Sequence, residues 1–267
     1  MTQPLLSLED LCVGFTRYAG LGRERPVPVV AFLSLDLARG EILSVVGASG
    51  SGKSLLAQAV LGILPGNATV TGGIRYDGET LDKRRLRMVR GTEISYIPQS
   101  VNNLDPLMTV GRQVRIGLDP ETAHDRQRAL FSRYGLADEV ANRYPFQLSG
   151  GMLRRVLFAT SVRDGVRLVI ADEPTPGLHA DAAAEILNHL AELAAHGASV
   201  LLITHDIRAA TSISKRIAVM DAGRLLTVED AADFSGDGNR LRHPFARALW
   251  RALPQNRFAT EGHGAWH

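Results

Sequence analysis

The chain has 267 residues, room for one large domain or two small ones at about 150 residues per domain, and its 45% hydrophobic and 22% charged content excludes disordered, collagen-like and acidic-tail classes. Lys plus Arg number 30 against 28 for Asp plus Glu, a formal charge of +2 that is too balanced to point to nucleic acid. Cys12 is the single cysteine, so no internal disulfide is expected, the compartment reads as reducing, and neither a leader nor a span of about 18 apolar residues is expected. Leu6, Leu8, Val13 and Phe15 predict a strand with an irregularity where the alternation changes phase. Residues 18–28, rich in Gly, Arg and Pro, read as a loop, 29–37 as a second strand and Arg39-Gly40 as a turn. Residues 42–46 form a short apolar run suited to a strand covered on both faces. Leu55, Leu56, Ala59, Val60 and Ile63 have helical spacing over 54–64, with Pro65-Gly66 as the expected stop. A strand over 94–97 is followed by helices over 110–118 and 126–134, and no strong strand returns until Leu168. Strand and helix then alternate over 168–171, 181–195, 200–203, 207–214 and 217–220, which predicts an α/β sheet of parallel strands with right-handed crossovers. A last short helix is expected between Pro244 and Leu253.

Gly47-Ala48-Ser49-Gly50-Ser51-Gly52-Lys53-Ser54 fits G-x-x-x-x-G-K-[ST] and lies between a predicted strand and a predicted helix. Glycines let backbone N–H groups curl around an anion, and the helix N-terminus adds partial positive charge behind them. Lys53 would neutralise the β and γ phosphates and the Ser54 hydroxyl would hold Mg²⁺. The plain alternative, a turn that only caps a helix, loses ground to the match in this setting. Asp172 and Glu173 end the apolar strand 168–171, where ligand sites of open α/β sheets collect. Asp172 would hold Mg²⁺ directly or through water, and Glu173 would orient or deprotonate the attacking water. Taken alone, this pair is also compatible with an acidic strand-end turn.

Leu148-Ser149-Gly150-Gly151-Met152 resembles the LSGGQ signature of the ATP-binding cassette family, and the motifs around it follow that family's order over nearly the whole chain. The resemblance implies an α/β P-loop NTPase core of the ABC type with an N-terminal antiparallel β subdomain and a helical insertion carrying the signature. It divides a single 1–267 domain into a nucleotide-binding core over 1–98 and 163–233, a helical subdomain over 99–162 and a short tail over 234–267. Gln99 looks like the family's Q-loop glutamine, sensing the γ phosphate and Mg²⁺, and His205 like its switch histidine. By the same resemblance ATP, bound with Leu55 beside the cradle, would lie between two cassettes packed head to tail. Ser149, Gly150 and Gly151 of one would close the phosphates held by the other, which suits a helix N-terminus. Phe15, or failing it Tyr18, takes the position of the ring that stacks on adenine, although Phe15 is equally readable as core.

Two departures stand out. Met152 replaces the signature's usual Gln and leaves the Ser and Gly donors intact; His179 replaces an aspartate that couples the two composite sites, which implies a non-identical partner cassette. Residues 97–111 and the tail His243-Pro244-Phe245-Ala246-Arg247-Ala248-Leu249 resemble the peptide and nickel importer subfamily. Met152 and the short stretch after Pro254 tilt the expectation toward the nickel or metal-chelate branch. The implied partners are two transmembrane permease subunits, contacted through the segment around 99–117, and an extracytoplasmic solute-binding protein. The implied location is the cytoplasmic face of the inner membrane. Lys83, Arg84, Arg85, Arg87 and Arg90 read as a solvated helix face rather than a nucleic-acid patch. DNA-maintenance or ribosome-associated cassettes are the alternative class, but neither a heptad insertion nor a second cassette is present; Glu173 and His205 argue against a non-hydrolysing regulatory cassette.

Overall fold

The computed structural model describes residues 3–19, 23–163, 165–253 and 256. Two sheets organise it. Strands β1 (Leu6–Ala19), β2 (Arg23–Leu37), β4 (Ala68–Tyr76) and β5 (Glu79–Thr80) form an antiparallel sheet in the order β2-β1-β4-β5. Strands β3 (Ile42–Gly47), β6 (Ile94–Ile97), β7 (Leu168–Asp172), β8 (Ser199–Thr204), β9 (Arg216–Asp221) and β10 (Arg224–Asp230) form the second, in the order β10-β9-β3-β8-β7-β6. All of its neighbours pair in parallel except β10, which folds back on β9. The fold is thus an α/β P-loop architecture with an antiparallel subdomain, as expected from the sequence. Every residue of β3, β7 and β8 is buried, which explains their predominantly apolar sequences.

Three expectations need correction. Within the stretch 18–28, read as a loop, the described residues 18–19 and 23–28 are strand: β1 and β2 stay paired, with Thr16 opposite Pro26 and Ala19 opposite Arg23. β2 is an edge strand, where proline removes no ladder hydrogen bond that a neighbour requires. The first helix, α1 (Lys53–Leu61), stops before Pro65-Gly66, because Gly62 takes the left-handed conformation at φ 61°, its N–H donating to the Ala59 carbonyl and the next N–H, of Ile63, to that of Gln58. β4, largely exposed, and β10, largely half-buried, were not anticipated, since neither carries a clear period-2 signal. The expected irregularity in β1 is a bulge between Glu9 and Cys12, with Asp10 at φ 46°.

Helices cover the parallel sheet. One core packs the antiparallel sheet and α1 against one face through Leu11, Leu33, Leu56 and Leu43. The opposite face is covered by α5 (Gly150–Ser161) and α6 (Ala180–Ala195), with α3 (Val110–Arg115) and α4 (Ala123–Arg133) clustered beside them around buried Phe131 and Phe158. α2 (Lys83–Val89) carries the basic run, with Asp82 capping it by accepting from Arg85 N–H. A third, smaller core joins α7 (Ile207–Ile213), β9 and the tail helix α8 (Pro244–Arg251). That tail is anchored by fully buried Glu229, which accepts from Arg242 Nε at 3.0 Å and from His243 N–H at 3.1 Å. No helix among the described residues is long and apolar enough to cross a membrane.

Candidate functional site

The order β3-β8-β7-β6 aligns four strand ends, and each delivers one element of the site. Gly47 ends β3, His205 follows β8, Asp172 ends β7 with Glu173 just beyond it, and Gln99 lies just past β6. Between β3 and α1 the glycine loop turns under tight constraint. A Cβ on Gly47 would lie 2.2 Å from the Met220 carbonyl of neighbouring β9, so no other residue fits there. Gly52, at φ 92°, N-caps α1 and has Val30 at 2.9 Å from its would-be Cβ.

Lys53 is buried and folds over its own loop: Nζ donates to the carbonyls of Gly47 and Ala48 at 2.9 Å each. Burial lowers its pKa from that of a free lysine, while Glu173 and Asp172 push the other way. The Ser54 hydroxyl donates to Asp172 Oδ1 at 2.9 Å, and Tyr96 OH reaches Oδ2 at 3.4 Å. Burial raises the Asp172 pKa, aided by nearby Glu173 and opposed by the bonds from Ser54 and Tyr96 and by the Lys53 charge. The buried tyrosine is pushed up in turn, first by desolvation and then by Asp172.

Glu173 is held at φ 46°, a left-handed conformation that side chains rarely adopt and that costs about 1–3 kcal/mol. Its N–H donates to the Ile203 carbonyl at 2.8 Å, so β8 holds it in that pose. One carboxylate oxygen lies 2.8 Å from His205 Nδ1 and the other accepts from Thr204 Oγ1 at 3.4 Å. The imidazole itself is exposed, while Asp206 behind it caps α7 by accepting from Arg208 and Ala209 N–H groups. Strained carboxylate and exposed imidazole thus face a common cleft.

That cleft has a volume of about 780 Å³. It brings together Gly47, Ser49, Gly50, Gly52, Lys53, Ser54, Leu55, Gln99, Glu173 and His205, all anticipated from sequence. Ser51 is buried beneath the loop and Asp172 stands behind Ser54. Phe15 is not brought to the lining; it is half-buried on β1, opposite Val27 and Ala68. The side chain of Tyr18 lies outside the described residues. Val29 and Leu249 line the cleft instead, and neither was anticipated. Leu249 belongs to the tail stretch that sequence reading used only to choose a subfamily. Tyr96 and Thr204 were also missed, although alternation along β6 and β8 puts both beside the carboxylates.

Ser149, Gly150 and Gly151 are not in the lining of this cleft. Ser149 N-caps α5, its Oγ accepting from Met152 N–H at 3.3 Å, which leaves its own O–H to donate. Among the described residues, nothing beyond the chain neighbours and the helix's own nearby backbone lies within 4 Å of a Cβ built on Gly150 or Gly151. His179 is exposed at the start of α6 and makes no side-chain capping bond. A hard-cation site fits the chemistry of the pair Ser54 and Asp172, which offers oxygen donors only. No cluster of three or more His, Cys, Asp or Glu occurs among the described residues, and a Mg²⁺ ion that also binds phosphates needs only one or two protein ligands.

The family model for ABC transporters matches residues 30–176. The peptidoglycan transport ATP-binding protein YejF of Agrobacterium fabrum is 37% identical over 95% of this chain, which spans 48% of that relative's length. The oligopeptide transport ATP-binding protein OppD of Lactococcus lactis subsp. cremoris is 37% identical over 83% of this chain and 69% of its own. The dipeptide transport ATP-binding protein DppD of Bacillus subtilis is 33% identical over 95% and 78%. Among solved structures, the dimeric post-hydrolysis ATP-binding cassette MJ0796 bound to ADP and Pi superposes with a TM-score of 0.73 at 26% identity, over 85% of this chain and 98% of that one.

Proposed function

The chain belongs to the ABC transporter family, and from that premise we propose that it is the ATP-hydrolysing subunit of a peptide importer, acting as one of two cassettes that drive a membrane permease. The observation that carries this reading is the single cleft in which a glycine cradle and Lys53 face the Glu173–His205 pair. Peptides lead as cargo because OppD and DppD carry peptide names. The nickel or metal-chelate cargo expected from Met152 and the tail draws no support from the names of these relatives. The partners are a second cassette, two permease subunits and an extracytoplasmic solute-binding protein, with the chain at the cytoplasmic face of the membrane. His179 in place of the coupling aspartate favours a non-identical second cassette.

The phosphates enter the loop between β3 and α1, where N–H groups and the helix N-terminus stabilise their charge. Lys53 exchanges its two carbonyl acceptors for β- and γ-phosphate oxygens. Ser54 and Asp172 would hold Mg²⁺, which supplies further neutralisation of the phosphates when bound. Gln99, which lines the same cleft, would sense the γ phosphate and the metal. Glu173 accepts a proton from the attacking water, with His205 Nδ1 holding the carboxylate and the ring facing the γ phosphate. Water adds at phosphorus, the β–γ bridge breaks, and ADP and phosphate leave. Ser149, Gly150 and Gly151 of the opposing cassette close the site, so hydrolysis removes the group that both chains share.

Glu173→Gln tests the assignment: turnover should fall at least about 10²-fold while nucleotide binding persists. Unchanged turnover refutes it. For the cargo, ATPase of the reconstituted complex should rise with a binding protein loaded with di- or oligopeptide. Stimulation by nickel or its chelates alone would reverse the choice. The chain alone should turn over slowly compared with the complex containing its partner, whereas robust cooperative turnover by the homodimer contradicts the unequal pair.

A further inference from the structure

Arg154 lies in α5, five residues beyond the Ser149 that opens the helix, and is only 9% exposed. Its Nη1 donates to the Gln99 carbonyl at 2.6 Å and its Nη2 to the Pro176 carbonyl at 3.4 Å. Gln99 lines the nucleotide cleft, and Pro176 sits in the short loop that leads from Glu173 to His179. Among the described residues no carboxylate pairs with Arg154, and burial holds its pKa below that of a free guanidinium. A buried cation answered only by two main-chain oxygens is an expensive way to fill a core position that an apolar side chain would occupy freely. What guanidinium offers there is a rigid fork that grips two separate loops at once. Its neighbour Arg155 supplies an internal comparison: it bonds the Gly135 carbonyl and Glu185, and touches neither cleft loop.

We propose that Arg154 is a positioning residue that transmits nucleotide occupancy from the Gln99 and 174–179 loops to the Ser149 end of α5. This rests on the ATPase reading above. Five residues of helix span about 7.5 Å as a rigid lever, so a shift of either carbonyl moves the first turn of α5 with it. The donors offered to a second cassette are then aimed by the state of the chain's own cleft.

The test uses the full chain and needs no partner. Backbone hydrogen exchange is followed with and without Mg²⁺-ATP in the unsubstituted protein, Arg154→Gln, Arg154→Lys and Arg155→Gln, with ATP affinity measured alongside. In the unsubstituted protein ATP should slow exchange at residues 150–154 by about fivefold or more, the lower end of usual coupling strengths. Arg154→Gln should abolish that slowing while ATP affinity stays within about twofold, since the cradle is untouched. Arg154→Lys, able to serve one carbonyl, should retain part of it and Arg155→Gln all of it. Full slowing in Arg154→Gln overturns the proposal, as does an unsubstituted protein that binds ATP without any response at these amides. Should the Gln variant not fold, full slowing in Arg154→Lys overturns it. An unsubstituted chain that fails to bind ATP overturns the ATPase reading itself, so the two failures are distinguishable.

Discussion

Two glycine segments in this chain are alike in composition and opposite in cause. The cradle glycines are demanded from within: Gly47 has a Met220 carbonyl where a Cβ would go, and Gly52 combines a φ of 92° with Val30 at 2.9 Å. The signature glycines have no such demand, because no described atom outside their chain neighbours and their own helix backbone lies within 4 Å of a Cβ on Gly150 or Gly151. Open space around a glycine at a helix N-terminus leaves N–H donors clear for a body from outside the chain. In the proposed head-to-tail pair the first segment is one half of a site, and the second complements the half carried by the other cassette.

The largest expected effects separate the two directly. Gly47→Ala should destabilise the chain by at least about 3 kcal/mol and abolish nucleotide binding, because backbone stands in the way. Gly150→Ala should leave thermal stability unchanged or raise it by up to about 1 kcal/mol, as alanine favours helix. Binding of ATP by the single chain should also persist. Turnover of the assembled transporter should nevertheless fall on the order of 10²-fold, the scale of one lost transition-state donor. Thermal unfolding, nucleotide titration and steady-state ATPase read all three, and a Gly150→Ala protein that hydrolyses normally breaks the comparison.

Asp172→Asn sharpens the cradle side. A folded-state pKa above that of an ordinary aspartate means that the native chain binds this proton before the unfolded chain does. Stability from this site therefore rises as pH falls through the raised value, and the buried charge opposes folding at neutral pH. Asp172→Asn should thus unfold at a higher temperature at pH 7 without nucleotide, and that advantage should shrink on acidification. Mg²⁺-dependent ATP affinity should meanwhile drop about tenfold or more. A lower midpoint at pH 7 contradicts this.

The smallest effect lies away from both segments. Asp77 is held at about 2 by hydrogen bonds from Arg167 and Arg39, clipping the antiparallel sheet to the start of β7. Its contribution is complete above the ordinary aspartate value and is lost as pH falls toward 2. At this half-exposed position it amounts to about 1 kcal/mol or less and weakens with salt. Asp77→Asn should lower the unfolding midpoint slightly at pH 7, with no difference near pH 2 and no change in ATP affinity.

What could be read without coordinates divides along similar lines. The cradle, the carboxylates and the buried parallel strands were legible because each carries its signal within a few consecutive residues. β3 and β8 are predominantly apolar, and the loop motif sits between its strand and helix. β4, β10 and the outer pairing of β1 with β2 were hidden, since their pairing comes from neighbouring strands rather than from a local apolar pattern. Val29 and Leu249 come from opposite ends of the chain to one cleft, and Arg154 joins loops 55 and 22 residues away. No local pattern encodes such meetings. Phe15 shows the converse, a motif position that the fold keeps out of the lining.

The most direct test is a structure of the Glu173→Gln assembly with Mg²⁺-ATP. It should show Ser149 Oγ of one cassette within hydrogen-bond reach, about 2.6–3.2 Å, of the terminal phosphate on the facing cassette's cradle. A terminal phosphate enclosed entirely by residues of its own chain, with Ser149 left in solvent, would contradict the account.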